Sequence, residues 1–168
     1  MKQGHVEAIY IYPEEGKPGS AAERVNAVAR RGLEGDRYFL GEGTFYRDDK
    51  EGQDLTLVDA EAIEAVRESG IPFDLGDSRR NVVTRGVALN DLVGARFMVG
   101  EVECLGVRLC HPCTWLESLT SPGVMKAMLN RGGLRARIVR GGQIAPGDKI
   151  TVLDEPVADA ALSASSSR

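Results

Sequence analysis

The sequence predicts a mainly β protein, a small closed or nearly closed β-barrel with peripheral helices. Three observations carry that expectation. Short runs rich in β-branched and aromatic residues recur along the chain, glycine at 20 of 168 residues punctuates them, and few stretches have helical spacing.

The series opens with Val6 to Tyr12 and stops at Pro13, as suits a strand leaving a sheet. After a Gly/Pro/Ser turn, Arg24 to Ala29 alternates polar and apolar side chains like a half-buried strand. Gly32, Gly35, Gly41 and Gly43 then break the path and predict a long irregular loop. Asp59 to Ser69 has the clearest helical pattern. Asp59 can cap the first turn, Val58 and Ile63 stand at staple positions, Ile63 and Val66 share a face, and Gly70 with Pro72 ends the run. Its apolar stripe marks a helix that covers a sheet. Short extended runs follow at Asn81 to Thr84, Arg96 to Val99, Val102 to Leu105 and Val107 to Leu109, and a second helix is expected between Pro122 and Leu129. Leu134 to Val139 and Lys149 to Leu153 complete the strands, joined through Arg140 to Gly142 and Pro146 to Asp148. Residues 1–154 read as one domain. Residues 155–168, rich in Ala and Ser and without large apolar residues after Leu162, read as a flexible tail.

A chain of 168 residues can bury one core and is short for two. Its net charge of -4 and pI near 5.3 argue against nonspecific attachment to nucleic acid or an anionic membrane, both of which require a basic surface. No apolar run approaches the roughly 20 residues that cross a bilayer, and the polar start lacks the apolar segment of a secretory signal. A cytoplasmic protein acting on a small molecule is expected. Lysine occurs only at Lys2, Lys17, Lys50, Lys126 and Lys149, and the excess of arginine favours a ligand bearing oxyanions, unless it reflects codon bias.

Cys110, His111, Pro112 and Cys113 place two thiols and an imidazole in four consecutive residues. Three cysteines in a reducing compartment make a poor disulfide framework, so chemistry or burial must account for them. The C-x-x-C spacing has three physical uses. A dithiol oxidoreductase would need a βαβ pattern around the motif, which is missing; a structural zinc would need four soft ligands, with Cys104, His5 and His111 as the remaining donors. The third use is a single reactive or metal-ligating thiolate supported by its neighbours, with Cys113 as the candidate and His111 and nearby arginines favouring the thiolate. Cys104, within a strand, reads as a buried small apolar residue.

Two further clusters could contact a ligand. Gly32 to Tyr38 combines glycines with Asp36 and Arg37, although a hairpin turn with a surface ion pair would look the same. Arg79 to Arg85 sets Arg79, Arg80, Asn81 and Arg85 around one strand, where they can hold a phosphate and a heterocycle edge or merely charge a sheet edge. Arg131, Arg135 and Arg137, near Gly132 and Gly133, form a further basic group with the same ambiguity.

Residues 32–37, 79–97, 110–113 and 132–139, followed by Pro146, Gly147 and Asp148, together resemble the MOSC domain, named for the C-terminal domain of molybdenum cofactor sulfurase. The resemblance covers most of residues 6–153. It implies a β-barrel with peripheral helices that binds molybdenum cofactor (molybdopterin), or handles sulfur for it, through one cysteine. Cys113 matches the family cysteine and Cys110 a more variable position. Tyr38 stands where the family often has histidine, which puts a role for that side chain in doubt.

By this resemblance to stand-alone bacterial members, the chain would be a reductase of N-hydroxylated compounds, akin to the amidoxime-reducing components and the bacterial proteins that detoxify N-hydroxylated base analogues. Cys113 would ligate the metal. Arg80, Arg85 and Arg135 would hold the pterin phosphate, with Asp36 and Asn81 toward the ring and Arg37 and His111 beside them, and an electron-donor protein would supply reducing equivalents. Alternatively, Cys113 would carry a persulfide received from a cysteine desulfurase and deliver it to a metal–sulfur centre or cofactor. Pyridoxal phosphate is the less expected cofactor, because none of the five lysines sits in a recognisable Schiff-base motif. A binding module with an incidental C-x-x-C is the third possibility.

Overall fold

The computed structural model describes residues 4–41 and 52–153. The expected tail, residues 155–168, and Gly43 lie outside them.

The strands in chain order are β1 (Gly4–Ile11), β2 (Ser20–Ala21), β3 (Val25–Val28), β4 (Gly32–Leu33), β5 (Leu55–Asp59), β6 (Val82–Arg85), β7 (Arg96–Val99), β8 (Val102–Leu109), β9 (Leu134–Arg140), β10 (Gly142–Ile144) and β11 (Lys149–Val152). The helices are α1 (Ala60–Glu68), α2 (Thr114–Leu119) and α3 (Val124–Ala127), with 3-10 turns at Leu75–Ser78 and Leu89–Leu92. Seven strands run β11-β7-β8-β9-β5-β6-β1, and β1 returns to β11 through Gly4 opposite Ile150, which closes the barrel. β5 and β6 are parallel, as a crossover through α1 requires, and the other barrel pairs are antiparallel. A small sheet, β10-β3-β4, lies beside the barrel.

Alternation sorts the apolar residues. Leu55, Leu57 and Val82 point into the barrel with Phe97, Cys104, Leu134 and Ile138, while Val58 and Val83 point outward and are covered by Ile63 and Val66 of α1, Leu116 of α2 and Val124 and Met128 of α3. The helices therefore cover one face of the β5-β6 pair, as the amphipathic stripe of α1 predicts.

The structure departs from the sequence expectation in four places. Val102–Leu105 and Val107–Leu109 form one strand, because Gly106 marks a close approach and no break: a Cβ there would collide with the Leu92 carbonyl. β5 was not expected, because Leu57 and Val58 are buried on opposite faces and show no alternation. Asp59 stands at the N-cap of α1 without a side-chain capping bond, its carboxylate turning to the Thr84 hydroxyl at 3.5 Å. The second helix is a single turn, α3, and α2 forms ahead of it where none was expected.

Candidate functional site

The cysteine loop leaves the barrel where β8 ends. Cys110 donates its N–H to the Gly133 carbonyl at 2.7 Å, which ties the loop to the start of β9. Gly132 and Gly133 make this possible: a Cβ at Gly132 would strike the Cys110 carbonyl oxygen, and Gly133, at φ 109°, would strike that of Leu57. Cys113 then caps α2 in extended conformation and accepts the Glu117 N–H at 3.1 Å. All three thiols are free, Cys110 buried and Cys113 half-buried. Cys104 lies inside the barrel, where burial pushes its thiol well above the usual range, in keeping with a packing role.

A cavity of about 90 Å³ opens beside Cys113. Asp36, Arg37, Arg80, Asn81, His111 and Arg135, which the sequence singles out from four separate segments, all line it with the two cysteines. Arg85 does not. It sits at the far end of β6, paired with Glu64 at 2.6 Å and Glu7 at 3.3 Å, and these carboxylates hold its guanidinium protonated even more firmly than usual. The phosphate contact expected of Arg85 is therefore corrected: a strand separates it from the cavity.

Asp36 and Asn81 form the back wall. The Asp36 carboxylate accepts the backbone N–H groups of Tyr12 at 2.8 Å and Tyr38 at 3.2 Å, together with the Asn81 amide at 3.2 Å. Burial pushes the Asp36 carboxyl above its usual range, and those three bonds oppose the shift. Asn81 also donates to the Tyr10 carbonyl and accepts the Thr56 hydroxyl, so both donor hydrogens and the amide oxygen are engaged by the protein. The pair fixes the Gly32–Tyr38 segment against β1 and β6.

Arg80 is buried, and its Nε donates to the Gly132 carbonyl at 2.8 Å and Nη2 to that of His111 at 3.5 Å. One side chain thus grips both edges of the cysteine loop. Tyr12, whose hydroxyl donates to the carbonyls of Gly76 and Arg80, braces the same corner, and burial holds its phenol far above the usual range.

Sequence reasoning missed Tyr12, Thr56 and Trp115 in the wall, and it named Arg79 in the arginine cluster without carrying it into the expected phosphate set. Arg79 adopts a left-handed backbone at φ 58°, lies 4.7 Å from the Tyr12 ring centre and 5.4 Å from that of Trp115, and donates Nη1 to the Lys17 carbonyl. Its Nη2 is buried without a partner among the described residues. Its place beside Arg80 was a usable signal. Four arginines, Arg37, Arg79, Arg80 and Arg135, thus face one cavity in which Asp36, the only carboxylate among the described residues of the lining, is spent on backbone and amide donors. On a chain of net charge -4, that is a local site for an oxyanion.

Among the described residues no group of three or more His, Cys, Asp or Glu could hold a metal ion, and no helix is long and apolar enough to cross a membrane.

Comparison with known proteins agrees with this architecture. The crystal structure of the YUAD protein from Bacillus subtilis superposes with a TM-score of 0.72 at 16% identity, over 90% of this chain and 96% of that one. YiiM from Geobacillus stearothermophilus gives 0.69 at 16% identity, over 95% and 80% of the two chains. YiiM from Escherichia coli gives 0.64 at 20% identity, over 96% and 76%. No curated protein matches by sequence. The MOSC domain family matches residues 33–151, a span that runs from the turn holding Asp36, through both cysteines of the cavity, to the strand that closes the barrel. By that match and that fold, the chain belongs to the MOSC domain family.

Proposed function

We propose that this protein binds molybdenum cofactor in the Cys113 cavity and acts as a reductase of N-hydroxylated compounds. The observation that carries the reading is the pairing of one accessible thiol with four arginines around a single cavity. Soft sulfur suits molybdenum and guanidinium suits a phosphate, so the donor set fits a pterin-borne metal that brings its remaining ligands with it. The buried, unpartnered Nη2 of Arg79 fits the same group, since an orphaned donor is costly until an acceptor arrives.

In this reading Cys113 Sγ is the protein's ligand to the metal, and Arg80, Arg135 and Arg79 hold the phosphate, with Arg79 in the place first expected of Arg85. Asp36 and Asn81 act one layer back by fixing the wall, since their polar atoms are already engaged. Arg80 has a double part: its carbonyl contacts set the position of the loop that presents Cys113. Arg37 contributes charge, and His111 stands exposed at the rim. Gly132 and Gly133 keep the loop against β9. When bound, the cofactor supplies the two-electron chemistry that returns an amine and water from an N-hydroxyl group, with a protein electron donor as partner.

The test is molybdenum per chain after expression in a host that makes the cofactor, wild type against Cys113→Ala. Near-stoichiometric metal that is lost in the variant supports the reading. No metal in either protein overturns it and favours a sulfur carrier with a persulfide on Cys113, supplied by a cysteine desulfurase.

A further inference from the structure

The three thiols are not alike. Cys104 is a member of the barrel core, so packing accounts for its burial. Cys110 is 3% exposed, yet among the described residues it belongs to neither apolar cluster. It lines the arginine cavity, as does Cys113 three positions on. The Arg108 guanidinium, pulled below its usual range by burial and by Arg135, is raised by Cys110, which sets that thiol beside a charged group. Apolar filling therefore does not account for Cys110.

The loop between Cys110 and Cys113 is held open. It makes no turn, and Cys113 is extended at φ -141° and ψ 170°. Pro112 keeps His111 out of helical backbone by steric clash. An extended path of three residues spans about 10 Å, whereas a disulfide needs its Cα atoms within about 7 Å. Two hydrogen bonds hold this arrangement. The Cys110 N–H donates to the Gly133 carbonyl at 2.7 Å, and Arg80 Nη2 donates to that of His111 at 3.5 Å, the limit of such a bond. The helix that follows, α2, has six residues and no side-chain bond from its Cys113 cap. Release of these few contacts lets the loop leave β9 and fold its two thiols together with the barrel intact.

We propose that Cys110 and Cys113 form a reversible redox pair, in which a peroxide oxidises Cys113 and Cys110 then closes a disulfide onto it, withdrawing Cys113 from the cavity. Access sets the order, since Cys113 is half-buried and Cys110 buried. With hydrogen peroxide, Cys113 Sγ attacks one oxygen, the O–O bond breaks, and a sulfenic acid and water form. Cys110 Sγ then attacks Cys113 Sγ, the S–O bond breaks, and the hydroxyl leaves as a second water with the Cys110 proton. The two thiols give up two electrons and two protons, and the peroxide takes them. A dithiol reverses the bond by exchange.

Folding back across His111 and Pro112 forces the backbone that proline disfavours, and strained disulfides are the readily reduced, regulatory kind. The open, reduced loop is thus the resting state. That the bridge also removes a metal ligand rests on the reductase reading; the thiol chemistry does not.

The test treats the full chain, with and without bound molybdenum, with hydrogen peroxide, alkylates the remaining thiols with iodoacetamide in denaturant, and reads intact mass and peptides by mass spectrometry. The metal-free wild type should carry one alkylated thiol, at Cys104, and a Cys110–Cys113 cross-link, and dithiothreitol should return all three thiols. Cys110→Ala should instead pass on to sulfinic acid at Cys113. Gly132→Ala, which displaces the loop from β9, should close the bridge several-fold faster. Chains loaded with metal should resist peroxide, because ligation occupies Cys113. Sulfinic acid at Cys113 of the wild type as fast as in Cys110→Ala, a bridge between chains, or three alkylated thiols after peroxide would overturn the pair. Molybdenum content separates the two ideas: metal uptake with no bridge in metal-free chains leaves the reductase and removes the pair, and a bridge in chains that never take up metal does the reverse.

Discussion

The Asn81 amide donates to the Asp36 carboxylate at 3.2 Å across 45 positions of sequence, and the pair welds the turn after β4 to the edge of β6. Removing Asp36 would leave the N–H groups of Tyr12 and Tyr38 and the Asn81 amide without their acceptor in a buried place. Asp36→Ala should therefore cost about 3 kcal/mol in urea unfolding. Asn81→Ala should cost a similar amount by stranding the Tyr10 carbonyl and the Thr56 hydroxyl. Because the two share one network, the double variant should lose about 1 kcal/mol less than the two single losses added together. Simple additivity would show that the pair does not act as a unit.

The three thiols differ in access, and alkylation reads this directly. Cys113 is half-buried, whereas Cys104 and Cys110 are 0% and 3% exposed. Native protein treated with iodoacetamide should gain a single adduct, mapped by mass spectrometry to Cys113, with Cys104 and Cys110 reacting only in denaturant. Early labelling of Cys110 would show that the loop opens away from Gly133.

Gly132 is the hinge of that arrangement. An alanine there meets the Cys110 carbonyl and the Pro112 ring, neither of which is a flexible side-chain end. Gly132→Ala should destabilise the fold by about 2 kcal/mol and speed Cys113 alkylation as the loop shifts outward. Unchanged stability and labelling would show that the close approach carries no constraint.

Asp59 provides the pH-dependent prediction. Burial pushes its carboxyl from 3.8 up to about 6, with Glu61 adding to the shift and Thr84 and Arg131 opposing it. The folded protein thus holds this proton more tightly than the unfolded chain. Its contribution to stability is fully present below about pH 4 and is lost as the pH rises through about 6. Asp59→Asn keeps an acceptor for Thr84 and forfeits no side-chain capping bond. It should flatten that window in urea titrations and gain about 1 kcal/mol at pH 7, after discounting for solvent screening. A slope identical to wild type would place the titration elsewhere.

Much of the barrel was legible because alternation along Val6 to Tyr12, Arg96 to Val99 and Leu134 to Val139 is imposed by one buried face. β5 was not, since Leu57 and Val58 are buried on opposite faces, one by the barrel and one by the helices, which erases the period of two. α2 was hidden by its six-residue length: it is held by Leu116 packing under α1 and α3 more than by its own signals. In the site, motifs identified Cys113, Asp36, Arg80 and Arg135 as candidates, while Tyr12 looked like an ordinary strand residue and Thr56 lay in the strand that showed no alternation. Arg79 and Arg85 were misjudged for a geometric reason. A strand advances about 3.3 Å per residue, so β6 carries one cluster of sequence to two ends of the barrel roughly 15 Å apart.

That separation yields the sharpest contrast between two arginines of one motif. Arg85 lies among Glu7 and Glu64 on a partly exposed surface, where ion pairs contribute about 0–1 kcal/mol. Arg85→Gln should lower stability by no more than that and leave molybdenum content at the wild-type level. Arg80 is buried and bonded to the carbonyls of Gly132 and His111, so Arg80→Gln frees both edges of the cysteine loop and removes a charge from the cavity. It should cost about 2–3 kcal/mol in urea unfolding and reduce bound molybdenum several-fold. Arg80→Lys should restore the charge without the planar fork that spans two carbonyls, recovering part of the metal content and little of the stability. Equal metal content in the Arg80 and Arg85 variants would mean that position along β6 does not decide which arginine serves the site.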